Sequence, residues 1–192
     1  MTDAGTSDEA PPGPPDAPAP SPSDVRLARA LESHFALVWR SLRRFGVAEA
    51  DVDDAAQLAF MTLASRIASV APGSERAFLI GTAARLAANH RRKQARHGEV
   101  LEADPDQRHG SAENPEEAMQ SKQRRALLDQ GLELLPHEQR TVFVLFELEG
   151  FSLPEIAENL AVPLGTATSR LRRARARFAA WASAQHIDEE LP

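Results

Sequence analysis

The chain of 192 residues has no cysteine, no tyrosine and only two tryptophans, and no apolar run in it approaches the roughly 18 residues that a membrane-spanning helix needs. The missing cysteine excludes disulfides, thiolate metal sites, a cysteine nucleophile and redox sensing by the chain's own thiols. Its histidines, at positions 34, 90, 97, 109, 137 and 186, fall without metal-ligand spacing. There is no phosphate-cradling glycine loop, no HExxH and no GxSxG. These absences argue against an enzyme, and neither a cofactor nor a metal is expected. The N-terminus also lacks the basic-then-apolar pattern of a secretory signal, so a cytoplasmic protein is expected.

What is present is charge, unevenly placed. The net charge is −6, yet residues 1–24 carry Asp3, Asp8, Glu9, Asp16 and Asp24 with no Lys or Arg at all. Residues 98–118 set Glu99, Glu102, Asp104, Asp106, Glu113, Glu116 and Glu117 against Arg108 alone. The rest of the chain is therefore net basic. The first acidic stretch includes DEAPPGPPDAPAPSPSD, with seven of the 14 prolines, and reads as a disordered tail. The second, with Gly98, Pro105, Gly110 and Pro115 among its acids, reads as an extended, self-repelling linker. Two small helical cores are expected on either side of it, over 25–97 and 119–183, followed by an acidic tail over 184–192.

Within those spans the apolar spacing is helical and never alternates like a strand, which predicts an all-α fold. Leu27, Leu31, Phe35, Val38, Leu42 and Phe45 define one amphipathic helix behind the possible caps Ser23 and Asp24. Val52, Ala56, Ala59, Leu63 and Ile67 define a second, beginning near Asp51. A third follows Ser74, buries Phe78, Leu79, Ala83 and Leu86, and sets Arg85, Arg91, Arg92, Lys93 and Arg96 along its exposed turns. After the linker, Pro115 starts a helix with Leu127, Leu128, Leu132 and Leu135 inward, and Pro136 opens another that Gly150 should end.

The last segment carries the most information. Ser152 and Glu155 have capping-box spacing before a short helix with Leu153, Ile156, Ala157 and Leu160. AVPLG is long enough only for a turn, and Thr166 is a candidate N-cap for a helix from Ala167 to about Trp181. Five arginines occupy the eight positions from Arg170 to Arg177. Two short helices on a tight turn, the second arginine-rich, describe a helix-turn-helix, and duplex DNA is the partner such a face fits. Ala167, Leu171, Ala174 and Phe178 should face the core. Thr168, Ser169, Arg172 and Arg173 then lie where a recognition helix meets base edges. Arg170, Arg175 and Arg177 are better placed for phosphates. The competing reading is a basic helix that is merely solvated.

LPHEQRTVFVLFELEGFSLPEIAENLAVPLGTATSRLRRARARF, residues 135–178, resembles the promoter-recognising domain of bacterial RNA polymerase sigma factors of the extracytoplasmic-function type, whose pattern is close to LPxxxRxVFxLxxxEGxSxxEIAxxLxxxxGTVxSRLxRAR. It departs from that pattern at Ala161, where glycine is common in the turn, at Ala167 and at Thr168. A positive φ at Ala161 would cost about 1 kcal/mol. DVDDAAQLAFMTLASRI and FLIGTAARLAANHRRKQAR resemble the family's other domain more loosely. The resemblance implies two domains: one that binds core polymerase and opens the −10 element, and one that reads the −35 element. It implies polymerase contacts at Asp53, Asp54 and Gln57. It places −10 contacts at Arg85, Asn89, Arg91, Arg92, Lys93 and Arg96, and −35 contacts at Thr166, Thr168, Ser169, Arg170, Arg172, Arg173, Arg175 and Arg177. The loop Ser69 to Ser74 sits where the family captures an unstacked base.

Core RNA polymerase and promoter DNA are thus the implied partners, with an anti-sigma factor as a further candidate and a monomer as the free form. The alternative is a freestanding helix-turn-helix regulator that never touches polymerase. Such regulators usually bind paired half-sites as dimers, and no spare apolar helix is evident for a dimer seam.

Overall fold

The computed structural model describes residues 21–97 and 115–185, and among them every regular element is helical. The acidic stretches 1–20, 98–114 and 186–192 lie outside the described residues. Helix α1 spans Pro22–Arg44, α2 Glu49–Arg66 and α3 Glu75–His97. In the second half α4 spans Pro115–Glu133 and α5 His137–Phe143, which runs into a π-helical turn over Val144–Leu148. Helices α6, Leu153–Asn159, and α7, Leu164–Ala184, complete the chain.

The start of α1 is set by Ser21, whose Oγ accepts from the Asp24 amide while the Asp24 carboxylate accepts from the Ser21 amide. That capping box moves the start ahead of the Ser23 and Asp24 caps expected from sequence, and it draws Pro22 to Asp24 out of the span assigned to the tail. Asp24 titrates below its ordinary value because Ser21 bonds its charged form. Helix α2 begins at Glu49 rather than near Asp51, with no side-chain cap. Residues 115–118, assigned to the linker, belong to α4.

Helices α1, α2 and α3 pack against one another, and α5, α6 and α4 pack on α7. Val38, Leu42, Phe45, Val52, Ala56, Leu63, Leu79 and Ile80 fill the first body; Leu132, Val142, Leu145, Ile156, Ala167 and Ala174 fill the second. The buried stripe of α1 runs through Ala30, Val38, Ser41 and Leu42, shifted in part by one position from the expected periodicity, and Leu31 and Phe35 are 45 % and 40 % exposed. Phe35 still stacks on Phe60, with ring centroids 6.1 Å apart.

The buried apolar side chains form one continuous cluster, and α3 touches α6. Gly81 permits that approach, since a Cβ there would stand 3.2 Å from the carbonyl oxygen of Asn159. At Gly131 a Cβ would fall 2.6 Å from both Phe178 and Trp181, so α4 crosses α7 at a distance only glycine allows.

Candidate nucleic-acid interface

The α6–α7 pair is fixed locally before any tertiary contact is counted. Ser152 caps α6: its amide donates to Glu155 Oε2 at 2.8 Å and its hydroxyl to the same oxygen at 2.6 Å, and these bonds hold the Glu155 carboxyl below its ordinary range. At the other end the Ala161 amide bonds the Glu158 carbonyl at 3.1 Å and the Val162 amide bonds the Ala157 carbonyl at 2.9 Å. This paired arrangement closes a helix by turning one residue left-handed. That residue is Ala161, at φ +53°, the one described residue other than glycine with positive φ.

Pro163 then leads into α7, which starts at Leu164 without a side-chain cap. Thr166 is therefore not the N-cap expected from sequence but lies in the first turn. Its neighbour Thr168 donates its hydroxyl to the Leu164 carbonyl at 2.9 Å, and Ser169 donates to the Thr166 carbonyl at 3.0 Å. Ala167, Leu171 and Ala174 are buried and Phe178 is half-buried, its ring 4.9 Å from that of Phe143.

The opposite face carries Thr168, Arg172, Arg173 and Arg177, all exposed. Two arginines are engaged elsewhere. Arg175 donates to Glu147 Oε1 at 2.6 Å and lies 5.0 Å over the Phe146 ring; Arg170 lies 3.9 Å from Glu138 and is 25 % exposed. Thr166 and Ser169 are half-buried, so they stand at the margin of the open face.

Helix α3 presents a second basic surface, with Arg85, Asn89, Arg91, Arg92, Lys93 and Arg96 exposed. Arg92 donates to the Asn89 side chain and Arg96 to the Arg92 carbonyl, so both arginines lie along their own helix. On α2, Asp54 and Gln57 are exposed, whereas Asp53 accepts a 2.8 Å bond from the Trp39 indole. The same face continues through Leu58 and Met61, 48 % and 60 % exposed, which sequence reasoning passed over. Their spacing from Asp54 and Gln57 was the available signal.

Comparison with known proteins matches residues 30–97 to the family model of sigma-70 region 2 and residues 121–178 to that of sigma-70 region 4. The chain belongs to the sigma-70 family. It is 30 % identical over 146 residues to the ECF RNA polymerase sigma factor SigE of Mycolicibacterium smegmatis, covering 76 % of this chain and 57 % of that one. It is 36 % identical over 93 residues to the ECF RNA polymerase sigma-E factor of Escherichia coli K12, covering 47 % and 49 %. The chain thus spans about half the length of the curated relatives it matches. Among solved structures, the fold is similar to the sigma factor RpoE in complex with the anti-sigma factor NepR from Bartonella quintana, with a TM-score of 0.64, 19 % identity, and coverage of 79 % and 92 %. It is also similar to CnrH in complex with the cytosolic domain of CnrY, with a TM-score of 0.59, 23 % identity, and coverage of 83 % and 96 %.

In this sigma-70 chain the loop joining α2 to α3 is held by a residue the sequence did not single out. Arg26, in the second turn of α1, donates to the Ile67 carbonyl at 3.2 Å, the Val70 carbonyl at 3.0 Å and Glu75 Oε1 at 2.5 Å. One guanidinium thereby ties the end of α2 to the start of α3, and its bond to Glu75 keeps that carboxyl below its ordinary range. No described helix is long and apolar enough to cross a membrane.

Proposed function

We propose that this chain is a sigma factor: it binds core RNA polymerase and directs initiation at specific promoters, region 4 reading the −35 element and region 2 opening the −10 element. The observation that carries this reading is the pairing, in one chain, of a helix-turn-helix bearing an open arginine face with a second, separate basic helix. A sequence reader alone needs the first and has no use for the second. The role is non-enzymatic and cytoplasmic, with the functional units placed at 25–97 and 119–183.

On the duplex, α7 enters the major groove with Thr168, Arg172 and Arg173 toward base edges. Arg177 meets phosphate. Arg175 and Arg170 reach phosphate by exchanging Glu147 and Glu138 for it, a like-for-like replacement of one anion by another. In region 2 the acids and amide of α2, with Leu58 and Met61 beside them, face polymerase. Arg85, Asn89, Arg91, Arg92, Lys93 and Arg96 track the phosphates of the separating strand. The loop over Ser69 to Ser74 receives an extruded base, which costs a few kcal/mol that a shaped pocket must offset. An anti-sigma protein is a further candidate partner, because both structural neighbours were solved with a second protein bound, named in one case as an anti-sigma factor.

The test is promoter opening by reconstituted holoenzyme, read by permanganate reactivity of promoter thymines. Changing both Arg92 and Arg96 to Ala should spare binding to core enzyme but reduce opening of duplex templates, and a pre-melted bubble should recover much of the activity. Unchanged reactivity in the double variant overturns the assignment of α3.

A further inference from the structure

The loop over residues 68–74, between the Ile67 C-cap of α2 and Glu75 at the start of α3, is tied to α1 by a single side chain. Arg26 spends all three nitrogens of its guanidinium on the two ends of that loop. Nη1 donates to the Ile67 carbonyl at 3.2 Å, Nη2 to the Val70 carbonyl at 3.0 Å, and Nε and Nη2 to Glu75 Oε1 at 3.0 and 2.5 Å. The pair is largely shielded, with side chains 27 % and 13 % exposed. A cation at the carbonyls that end one helix, bonded to an acid that begins the next, suits both helix dipoles. The Glu75 carboxyl is held low by Arg26 first and more weakly by the Gly73 backbone, so the tie extends to the tip of the loop.

The loop has an anchored base and an open tip. Ile67 and Val70 are buried, whereas Ala71, Pro72, Gly73 and Ser74 are exposed, and Gly73 turns the chain at φ +87°. The backbone bonds here are local: the Ser69 and Val70 amides donate to the Arg66 carbonyl, and the Ser74 amide to that of Ala71. The polar contacts with α1 run through Arg26. Between α1 and the tip lies a cleft of about 290 Å³, lined by Arg26, Arg29, Ser33, His34, Pro72 and Gly73. That is close to the roughly 300 Å³ at which ordinary small-ligand pockets begin.

A loop that must be ordered when a base arrives adds that cost to the cost of extruding the base, and a loop fixed beforehand does not. We propose that Arg26 is a positioning residue for promoter opening: it fixes the loop tip at its spacing from α1, so that the cleft is already shaped when an extruded base reaches it. That role rests on the sigma-factor reading, whereas the tie does not. Lysine is no substitute, because its ammonium is a point charge, while the acceptors at Ile67, Val70 and Glu75 are spread around a planar fork.

Two measurements on the full-length chain test this. In the free protein, Arg26→Lys should speed hydrogen exchange at the amides of 69–74 about tenfold and leave those of Ala59, Phe60 and Leu63 in the core of α2 unchanged. Glu75→Gln should act in the same direction and less strongly, and it takes over both measurements if Arg26→Lys does not fold. In holoenzyme, permanganate reactivity reads opening of promoters carrying an abasic site at each non-template position of the −10 element in turn. With the wild type one position should stand out, opening about tenfold less than its neighbours because the base that offsets extrusion is missing. Arg26→Lys should erase that excess, since intact and abasic promoters then open equally poorly. Arg29→Ala, which removes a charge from the same cleft without touching the loop, should lower opening at every position alike and keep the excess. Unchanged exchange in both variants overturns the tie. Faster exchange with the abasic excess intact overturns the positioning role, as does loss of the excess in Arg29→Ala, which would make charge alone the cause. A wild-type holoenzyme for which no position stands out overturns the base-receiving loop and this role with it. A chain that opens no promoter overturns the sigma-factor reading, and the exchange result then stands for the tie by itself.

Discussion

In α7 two of the five arginines lean on the body beneath them, Arg175 on Glu147 and the Phe146 ring and Arg170 toward Glu138, whereas on α3 Arg92 and Arg96 bond within their own helix. The two helices carry similar charge in different mechanical settings. The held pair, Arg170 and Arg175, leaves Arg172 and Arg173 beside it as the open side chains that the proposed reading turns toward base edges. An arginine lying along a solvent-facing helix can follow a phosphate wherever a separating strand carries it. The comparison gives the proposed division of labour, sequence reading by region 4 and strand handling by region 2, a contrast that can be tested.

The largest expected effect sharpens that division. Arg173→Ala should cost roughly 1–3 kcal/mol at one upstream base position and relax the preference there, whereas Arg177→Ala should weaken all promoters alike. Binding of holoenzyme to a set of singly substituted promoters measures both. Equal, sequence-independent losses would reduce the α7 face to the kind of surface assigned to α3 and dissolve the contrast.

The two regions also differed in how legible they were. The capping box at Ser152 and Glu155, the turn, and the buried stripe of Ala167, Leu171 and Ala174 are local features with local causes, so spacing alone located them. The start of α7 at Leu164 was missed because Pro163 needs no side-chain cap to begin a helix, and Thr166 looked like the better candidate. In region 2 the informative contacts are long-range. Arg26 on Ile67, Val70 and Glu75, Trp39 on Asp53, and His90 3.4 Å from Asp51 join residues whose partners lie 14 to 49 positions away. No periodicity encodes such pairs. The bond from Arg44 to Glu149, 2.8 Å long, was illegible for the same reason: the two are 105 positions apart, and each alone reads as an ordinary surface charge.

A smaller effect distinguishes the bodies by their turns. In region 2 the positive-φ positions, Gly46 and Gly73, are glycines, but region 4 places Ala161 at φ +53°. Ala161→Gly should therefore raise the stability of the region 4 body by up to about 1 kcal/mol, less a few tenths for the extra freedom of the unfolded chain. Thermal unfolding of the full chain followed by the tryptophan signal is a suitable measure, since Trp181 lies in that body. A destabilised Ala161→Gly variant would mean that the alanine side chain contributes contacts that outweigh its backbone strain.

The smallest effect comes from the place where the two regions join. His137 opens α5 at the seam and is 8 % exposed. Burial, reinforced by the positive charges of Arg91 and Arg140, holds its pKa below the ordinary 6.5, against weaker opposing effects from the Phe45 backbone and Glu138. The folded chain thus keeps this imidazole neutral, while the unfolded chain takes up a proton near pH 6.5. Its contribution to stability is complete above that pH, declines as the pH falls through 6.5, and levels off once the folded state is protonated too. The carboxyls held low by their partners, Asp24, Glu75 and Glu155, begin to weigh only near and below their ordinary values of 3.8 and 4.5, so the interval from pH 7 to 5.5 is largely free of them. Across that interval the melting temperature of the wild-type chain should drift downward, by less than the shift expected at Ala161, and His137→Gln should flatten the drift. An identical slope in the variant would show that burial at this position does not resist the proton.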